Sequence, residues 1–265
     1  MMNMTPVVKQ LLIINIIFFI GAQMVPISYE YFSLFYPESN DFRLWQVFTH
    51  MFMHAPWPNF AHILFNMFAL YSFGSALEHF WGGKKFLFFY ISCGLGAALL
   101  HTGVNYLQLH SLLDSVSGLN LSKADLHLIL NMRYESGEII QGEVATILKN
   151  AHCTQEQFNV LGQAAGIVQS PVLGASGAIY GLLTAFAFMF PNAQLGLLFI
   201  PVPIKAKYFV PGILAVDLFL GFKGSSLFGS GGTGIAHFAH IGGAIAGFLM
   251  MLYWKKNQFN NNRWN

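Results

Sequence analysis

The sequence predicts an all-α, polytopic membrane protein: a bundle of six transmembrane helices with a long outer insertion between the third and fourth. Three observations predict it. Of 265 residues, 55% are hydrophobic and only 9% charged, against roughly a quarter charged in ordinary soluble domains. The apolar residues come in blocks close to the ~20 residues that cross a bilayer. One long polar stretch, 107–173, interrupts them. Length alone would allow one or two soluble domains. The blocks instead argue for a single membrane domain over 1–265, with its core at about 7–106 and 173–254 and an extracytoplasmic helical insertion at 107–173.

The first block, 7–27, starts like a signal peptide, with Lys9 ahead of an apolar stretch. No small-x-small cleavage site follows, so it reads as a retained helix. The next segment, 28–58, is rich in aromatics and methionine, Phe35, Trp45, Phe48, Met51, Met53 and Trp57 among them. An outer loop this apolar is expected to lie in the membrane interface. The second span, 60–80, carries His62 and Asn66 near its outer end. Glu78, near its inner end, either anchors that end of its own helix or pairs with Lys84 or Lys85. The third span is 86–106. Within the insertion, Ser122 with Asp125 and Thr154 with Gln157 resemble capping boxes, which predicts short helices. Spans four to six are 175–190, 208–222 and 236–254. Residues 223–235 contain Gly224, Gly229, Gly231, Gly232 and Gly234, the composition of a mobile loop. No strand precedes that loop and no lysine–serine pair ends it, which excludes a nucleotide-binding loop.

Charge sets the expected orientation. With the N-terminus inside, Lys9, Lys84, Lys85, Lys205, Lys207, Lys255, Lys256 and Arg263 fall on the inner side. The longer outer segments hold only Arg43, Lys123, Arg133, Lys149 and Lys223. The positive-inside rule then puts both termini in the cytoplasm. A net charge of +2 without a basic patch excludes nucleic-acid binding. Of the two cysteines, Cys93 lies in a span and Cys153 in a polar loop, so no disulfide is expected.

Polar groups inside hydrocarbon are expensive and usually functional. Ser176 stands in Gly174-Ala175-Ser176-Gly177, where the fourth span begins. The first N–H groups of a helix have no internal partners, so the Ser176 N–H is available to an oxyanion formed there. His240 lies about four residues into the sixth span, at the same expected depth. Gly243 and Gly247 follow His240 on one helix face. They form a GxxxG pair, as do Gly177 and Gly181, and such pairs let helices approach closely. A Ser–His hydrogen bond of roughly 3 Å requires that approach. His62 and Asn66 share a helix face and can both donate to an oxyanion. Tyr180, one turn after Ser176, can stack on the His240 ring. For each of these the plain alternative is packing or interhelical hydrogen bonding.

Other candidates are weaker. His50 and His54 are four apart but lack a third metal ligand. His237 competes with His240, three residues before it on nearly the same face. His79, His101, His110, His127 and His152 form no constellation. Asp217, in the fifth span, could serve as a proton-relay carboxylate, but it has no basic partner within its span and receives no role. No His-Glu-x-x-His and no paired intramembrane aspartates are present, which sets aside zinc and aspartyl proteases.

The motifs His62-x-x-x-Asn66, Gly174-Ala175-Ser176-Gly177 and Ala239-His240-x-x-Gly243-x-x-x-Gly247, in that order, resemble the rhomboid family of intramembrane serine proteases. The resemblance covers roughly residues 45–107 and 173–254 and implies a rhomboid-like bundle. By position it makes Ser176 the nucleophile, His240 the general base, His62 and Asn66 the oxyanion-stabilising side chains, and Tyr180 the aromatic that supports the histidine. It likens the first outer loop to the family's membrane-embedded loop and the glycine-rich loop to its mobile cap. Where many members carry Trp-Arg, this chain has Trp45-Gln46, and its insertion is longer than a minimal member's.

The expected function is therefore a serine endopeptidase that hydrolyses peptide bonds in or near transmembrane segments through a Ser–His dyad, with no acid as third member. The alternative is a catalytically silent rhomboid-like binder of transmembrane helices. A transporter is disfavoured because no internal repeat is visible. No metal and no cofactor is needed. The expected partners are single-pass or polytopic membrane-protein substrates and the lipid bilayer; the resemblance implies a weak preference for small residues at the cleavage site. The compact form and the lack of a transit peptide suggest a bacterial plasma membrane.

Overall fold

A computed structural model describes residues 4–132, 142–197, 200–223 and 235–258. Helix α1 (Pro6–Met24) has Pro6 at its start, where a missing N–H costs nothing. Short helices α2 (Ser28–Phe32) and α3 (Gln46–Thr49), with a 3-10 turn at His50–Phe52, shape the first loop. The second span is α4 (Phe60–Ala69), a π-helical turn at Leu70–Gly74, and α5 (Ser75–Trp81). Helix α6 (Gly83–Ser115) follows, then α7 (Lys123–Asn131), α8 (Glu143–Asn150) and α9 (Gln155–Gln169) in the insertion. The chain ends with α10 (Ser176–Met189), strands β1 (Gln194–Leu197) and β2 (Ile200–Lys205), α11 (Ala206–Lys223) and α12 (Ile235–Gln258).

The protein is thus mostly helical, and among the described residues four helical stretches are long and apolar enough to cross a membrane: Pro6–Met24, Phe60–Trp81, Gly83–Ser115 and His237–Lys255. Helix α10 is apolar but has only 14 residues, about 21 Å against a hydrocarbon core of about 30 Å. Helix α11 carries Lys207, Asp217 and Lys223 in its 18 residues. Side chains such as Ile17, Leu64, Phe88, Leu99, Phe222 and Leu249 point outward and are exposed. Apolar surface on that scale suits lipid, not water.

Three details depart from the expected pattern. Helix α6, expected to end near residue 106, continues to Ser115. Its 33 residues reach about 50 Å, so its last turns rise past the bundle and carry the insertion. β1 and β2 form an antiparallel hairpin that the helical reading did not anticipate. Glu78 accepts hydrogen bonds from the Thr5 hydroxyl and from the Val7 and Val8 N–H groups at 3.0 and 2.8 Å. It therefore anchors the start of α1, where free N–H groups and the helix dipole favour a carboxylate.

The core sits where α6, α10 and α12 cross. Val8, Leu70, Leu77, Phe86, Phe89, Tyr90, Leu182 and Met251 fill it. Both capping boxes form, Ser122 with Asp125 and Thr154 with Gln157. In the insertion, Leu130, Ala164 and Val168 pack with Leu109 of α6 and Tyr36 of the first loop, while Leu148, Leu161 and Ile129 pack with Val116. Residues 224–234 of the glycine-rich loop and 133–141 of the insertion lie outside the described residues.

Candidate active site

Ser176 is the first residue of α10. The chain reaches it through an extended segment held by the first loop. Leu34 and Val172 exchange N–H···O bonds of 2.9 Å, and the Gly174 N–H donates to the His50 carbonyl at 2.9 Å. The loop is in turn organised by Gln46, which is fully buried. Its amide N–H groups donate to the Glu30 and Asp41 carbonyls at 2.9 and 2.8 Å, and its oxygen accepts from the Arg43 N–H at 3.1 Å. A neutral amide thus holds the loop at the position where Trp-Arg was the comparison. Gly174 has φ of +124°, a backbone conformation that side chains disfavour. A Cβ there would also stand 2.9 Å from the His62 ring.

Glycines set the approach of α12 to α10. A Cβ on Gly243 would overlap the Gly177 carbonyl, and one on Gly247 would stand 2.8 Å from the Gly181 carbonyl oxygen. The two GxxxG pairs therefore face one another with backbone on backbone. That contact brings His240 Nε2 to 2.8 Å from Ser176 Oγ. The Tyr180 ring stacks on the His240 imidazole, centroids 4.3 Å apart and planes inclined by 10°.

His62 borders the same point. The Ala55 N–H donates to His62 Nδ1 at 3.0 Å. Nδ1 must therefore carry a lone pair, and a neutral ring then bears its proton on Nε2. That edge lies against Gly174, beside Ser176 Oγ. Asn66 is also buried, but its amide donates to the His62 carbonyl at 2.7 Å. A cavity of about 110 Å³ adjoins the site, walled by His50, Met51, His62, Ala97, Ser176 and His240 among others. Asn66 is not among its walls. The geometry thus gathers Ser176, His240, Tyr180 and His62, and leaves Asn66 one turn behind.

Two features were missed in the sequence. The first is that His50 and Met51 of the outer loop line the cavity. His50 is buried, with Nδ1 2.9 Å from the Gln46 carbonyl, and burial lowers its pKa to about 4. His54, fully buried beside His62, is lowered to about 3 for the same reason. The second is a correction. Asp217, to which no role was given, stands 3.0 Å from His240 Nδ1. Its other oxygen bonds His237 Nδ1. Both partners sit on α12, so a search for partners within the aspartate's own span could not find them. The signals were present all the same: a carboxylate in mid-span demands a partner, and His237 and His240 are one turn apart. An acid therefore stands where none was expected. Asp217, His237 and His240 also offer ligand atoms within 4.8 Å of one another, the one such set among the described residues. Both carboxylate oxygens already accept imidazole N–H bonds.

A profile of the Rhomboid domain matches residues 41–113 and 139–257. The chain belongs to the rhomboid family. It is 25% identical over 222 residues to an uncharacterized mitochondrial rhomboid protein of Schizosaccharomyces pombe, covering 81% of this chain and 52% of that protein. It is 30% identical over 127 residues to the mitochondrial presenilin-associated rhomboid-like protein of Rattus norvegicus, covering 39% of this chain and 31% of the relative. Rhomboid protein 1, mitochondrial, of Saccharomyces cerevisiae is 31% identical over 94 residues, covering 34% and 24%. This rhomboid spans about half or less of the length of these relatives. All three names are mitochondrial, so the expected bacterial plasma membrane finds no support among them.

Proposed function

We propose that this rhomboid is an intramembrane serine endopeptidase acting on peptide bonds in or near the transmembrane segments of other membrane proteins. The observation that carries the reading is the 2.8 Å contact between Ser176 Oγ and His240 Nε2 within an apolar bundle. We read six spans, α1, α4 with α5, α6, α10, α11 and α12, with both termini on one face and Ser176 toward the other.

Ser176 Oγ attacks the scissile carbonyl carbon while its proton passes to His240 Nε2. The Ser176 N–H and His62 Nε2–H face the developing oxyanion, while the Asn66 amide donates to the His62 backbone carbonyl one turn back. The protonated His240 then delivers its proton to the leaving amine, and water attacks the acyl-enzyme by the same route. Stacking on Tyr180 keeps the imidazole in plane. No metal or cofactor enters these steps.

The test uses purified full-length protein in liposomes with a tagged transmembrane substrate bearing small residues near one end of its span. Wild type is expected to cleave it, and Ser176→Ala and His240→Ala to lose at least about 10⁴-fold in kcat. Cleavage that survives Ser176→Ala would sink the mechanism. The competing reading is a catalytically silent binder of transmembrane helices. It predicts no cleavage of any substrate and no labelling of Ser176 by a fluorophosphonate probe.

A further inference from the structure

We infer that Asp217 is a positioning residue for His240, and that His237 fixes which way the carboxylate faces. The inference rests on the protease reading above and extends it from two residues to a hydrogen-bonded chain across α11 and α12.

A carboxylate only accepts hydrogen bonds. His240 Nδ1, 3.0 Å from Asp217 Oδ2, must therefore carry a proton. A neutral imidazole has one N–H, so Nε2 is left with its lone pair toward Ser176. This is the tautomer a general base needs, and the opposite tautomer would present an N–H to the serine and accept nothing. Stacking on Tyr180 fixes the plane of the ring but cannot select between its two nitrogens, since both lie in that plane. The carboxylate makes the selection. It also balances the imidazolium that forms when Ser176 gives up its proton, and it keeps its own charge throughout.

His237 completes the arrangement. Its Nδ1–H donates to Asp217 Oδ1, so both oxygens are engaged and the carboxylate cannot rotate away. Asp217 is 1% exposed. A buried carboxylate is costly unless its oxygens are satisfied, and two imidazole donors one helical turn apart, together with the Tyr180 hydroxyl, satisfy it. A merely structural pin between α11 and α12 would need only one of these bonds, and would have no reason to meet the imidazole that contacts Ser176.

Asp217→Asn separates positioning from structure. His237 Nδ1–H holds the amide oxygen, so the amide N–H faces His240 Nδ1 and drives the His240 proton to Nε2. We expect kcat to fall by about 10²- to 10⁴-fold while KM changes by less than about threefold. In ¹⁵N-histidine spectra of the detergent-solubilised protein, His240 is expected to be protonated on Nδ1 in wild type and on Nε2 in Asp217→Asn. Asp217→Glu, which keeps the acceptor, is expected to recover at least tenfold of the lost kcat. Wild-type spectra with His240 protonated on Nε2 would overturn the inference even if the variants do not fold. So would an Asp217→Asn enzyme within threefold of wild-type kcat, or wild-type activity abolished by 1,10-phenanthroline, which would put a metal where the proton is placed here. If wild type neither cleaves substrate nor labels at Ser176, the protease reading fails, and the His240 tautomer still decides the role of Asp217.

Discussion

The bundle around Ser176 and the insertion at 107–173 are both helical, yet different forces hold them. In the bundle the decisive contacts are backbone on backbone. Gly243 lies on Gly177, and Gly247 on Gly181, with no side chain between. Lipid tails are as apolar as leucine, so apolar burial alone gives helices little reason to leave lipid for one another. In the insertion, Leu130, Leu148, Leu161 and Val168 form compact clusters, and Ser122 and Thr154 cap helices with matching acceptors. Side-chain burial and helix capping hold that region together. The lesson is that one chain builds its site where atoms must meet within tenths of an ångström, and uses more forgiving side-chain packing where nothing reacts.

Among changes that leave the reacting side chains intact, the largest effect should come from adding one side chain to the bundle. In Gly243→Val the new Cβ overlaps the Gly177 carbonyl, which is backbone and cannot step aside. Helix α12 must move outward, and His240 with it. A displacement of 1 Å at reacting groups costs about 10²-fold in rate, so peptidase activity should fall by that much or more. Melting temperature in detergent should fall too, by several degrees. Activity within threefold of wild type would show that the bundle does not depend on this contact.

The first loop joins the two regions, since it bonds Val172 beside the site and, through Asn40 and Glu38, Asn131 of the insertion. Its buried histidines make that seam acid-sensitive. Burial holds His50 near 4 and His54 near 3, while an unfolded histidine titrates near 6.5. Below pH 6.5 the unfolded chain therefore binds more protons than the folded one. The stability these groups contribute is complete above about pH 6.5 and declines as pH falls toward 4. Each group accounts for a few kcal/mol over that range, on the order of 1.4 kcal/mol per pH unit. Thermal melts at pH 7.5 and pH 5 should show a clear loss at pH 5, and His54→Gln should reduce it. Equal melting temperatures at the two values would rule this out.

Much of this was legible in the sequence because membrane spans announce themselves. The blocks at 7–27 and 60–80 needed only length and composition, and Ser176, His240 and His62 stood out as polar groups in apolar runs. The order of their motifs added what no single motif carried. Asp217 was illegible for a physical reason. Its partners lie 20 and 23 positions on, across a helix pair whose rotation no periodicity in either helix reveals. The end of α6 was missed because helix propensity carries it past the apolar block, and composition locates the block rather than the helix. The hairpin at Gln194–Lys205 hides in the same way, as a short apolar run that could equally be strand or helix.

The smallest effect should come from the insertion, and its size is the other half of the comparison. The Ser122 hydroxyl accepts from the Asp125 N–H at 3.1 Å, and the Ser122 N–H donates to the Asp125 carboxylate at 3.1 Å. Both lie at the surface, where water replaces a lost partner. Ser122→Ala should therefore cost about 1 kcal/mol of local stability. Hydrogen exchange in α7 should rise roughly fivefold, as that energy implies. Peptidase activity should stay within twofold of wild type, because among the described residues α7 meets the site only through the insertion's own cluster and the first loop. A loss of activity as large as that of Gly243→Val would mean the insertion is coupled to the bundle through more than packing, and the division between the two regions would have to be abandoned.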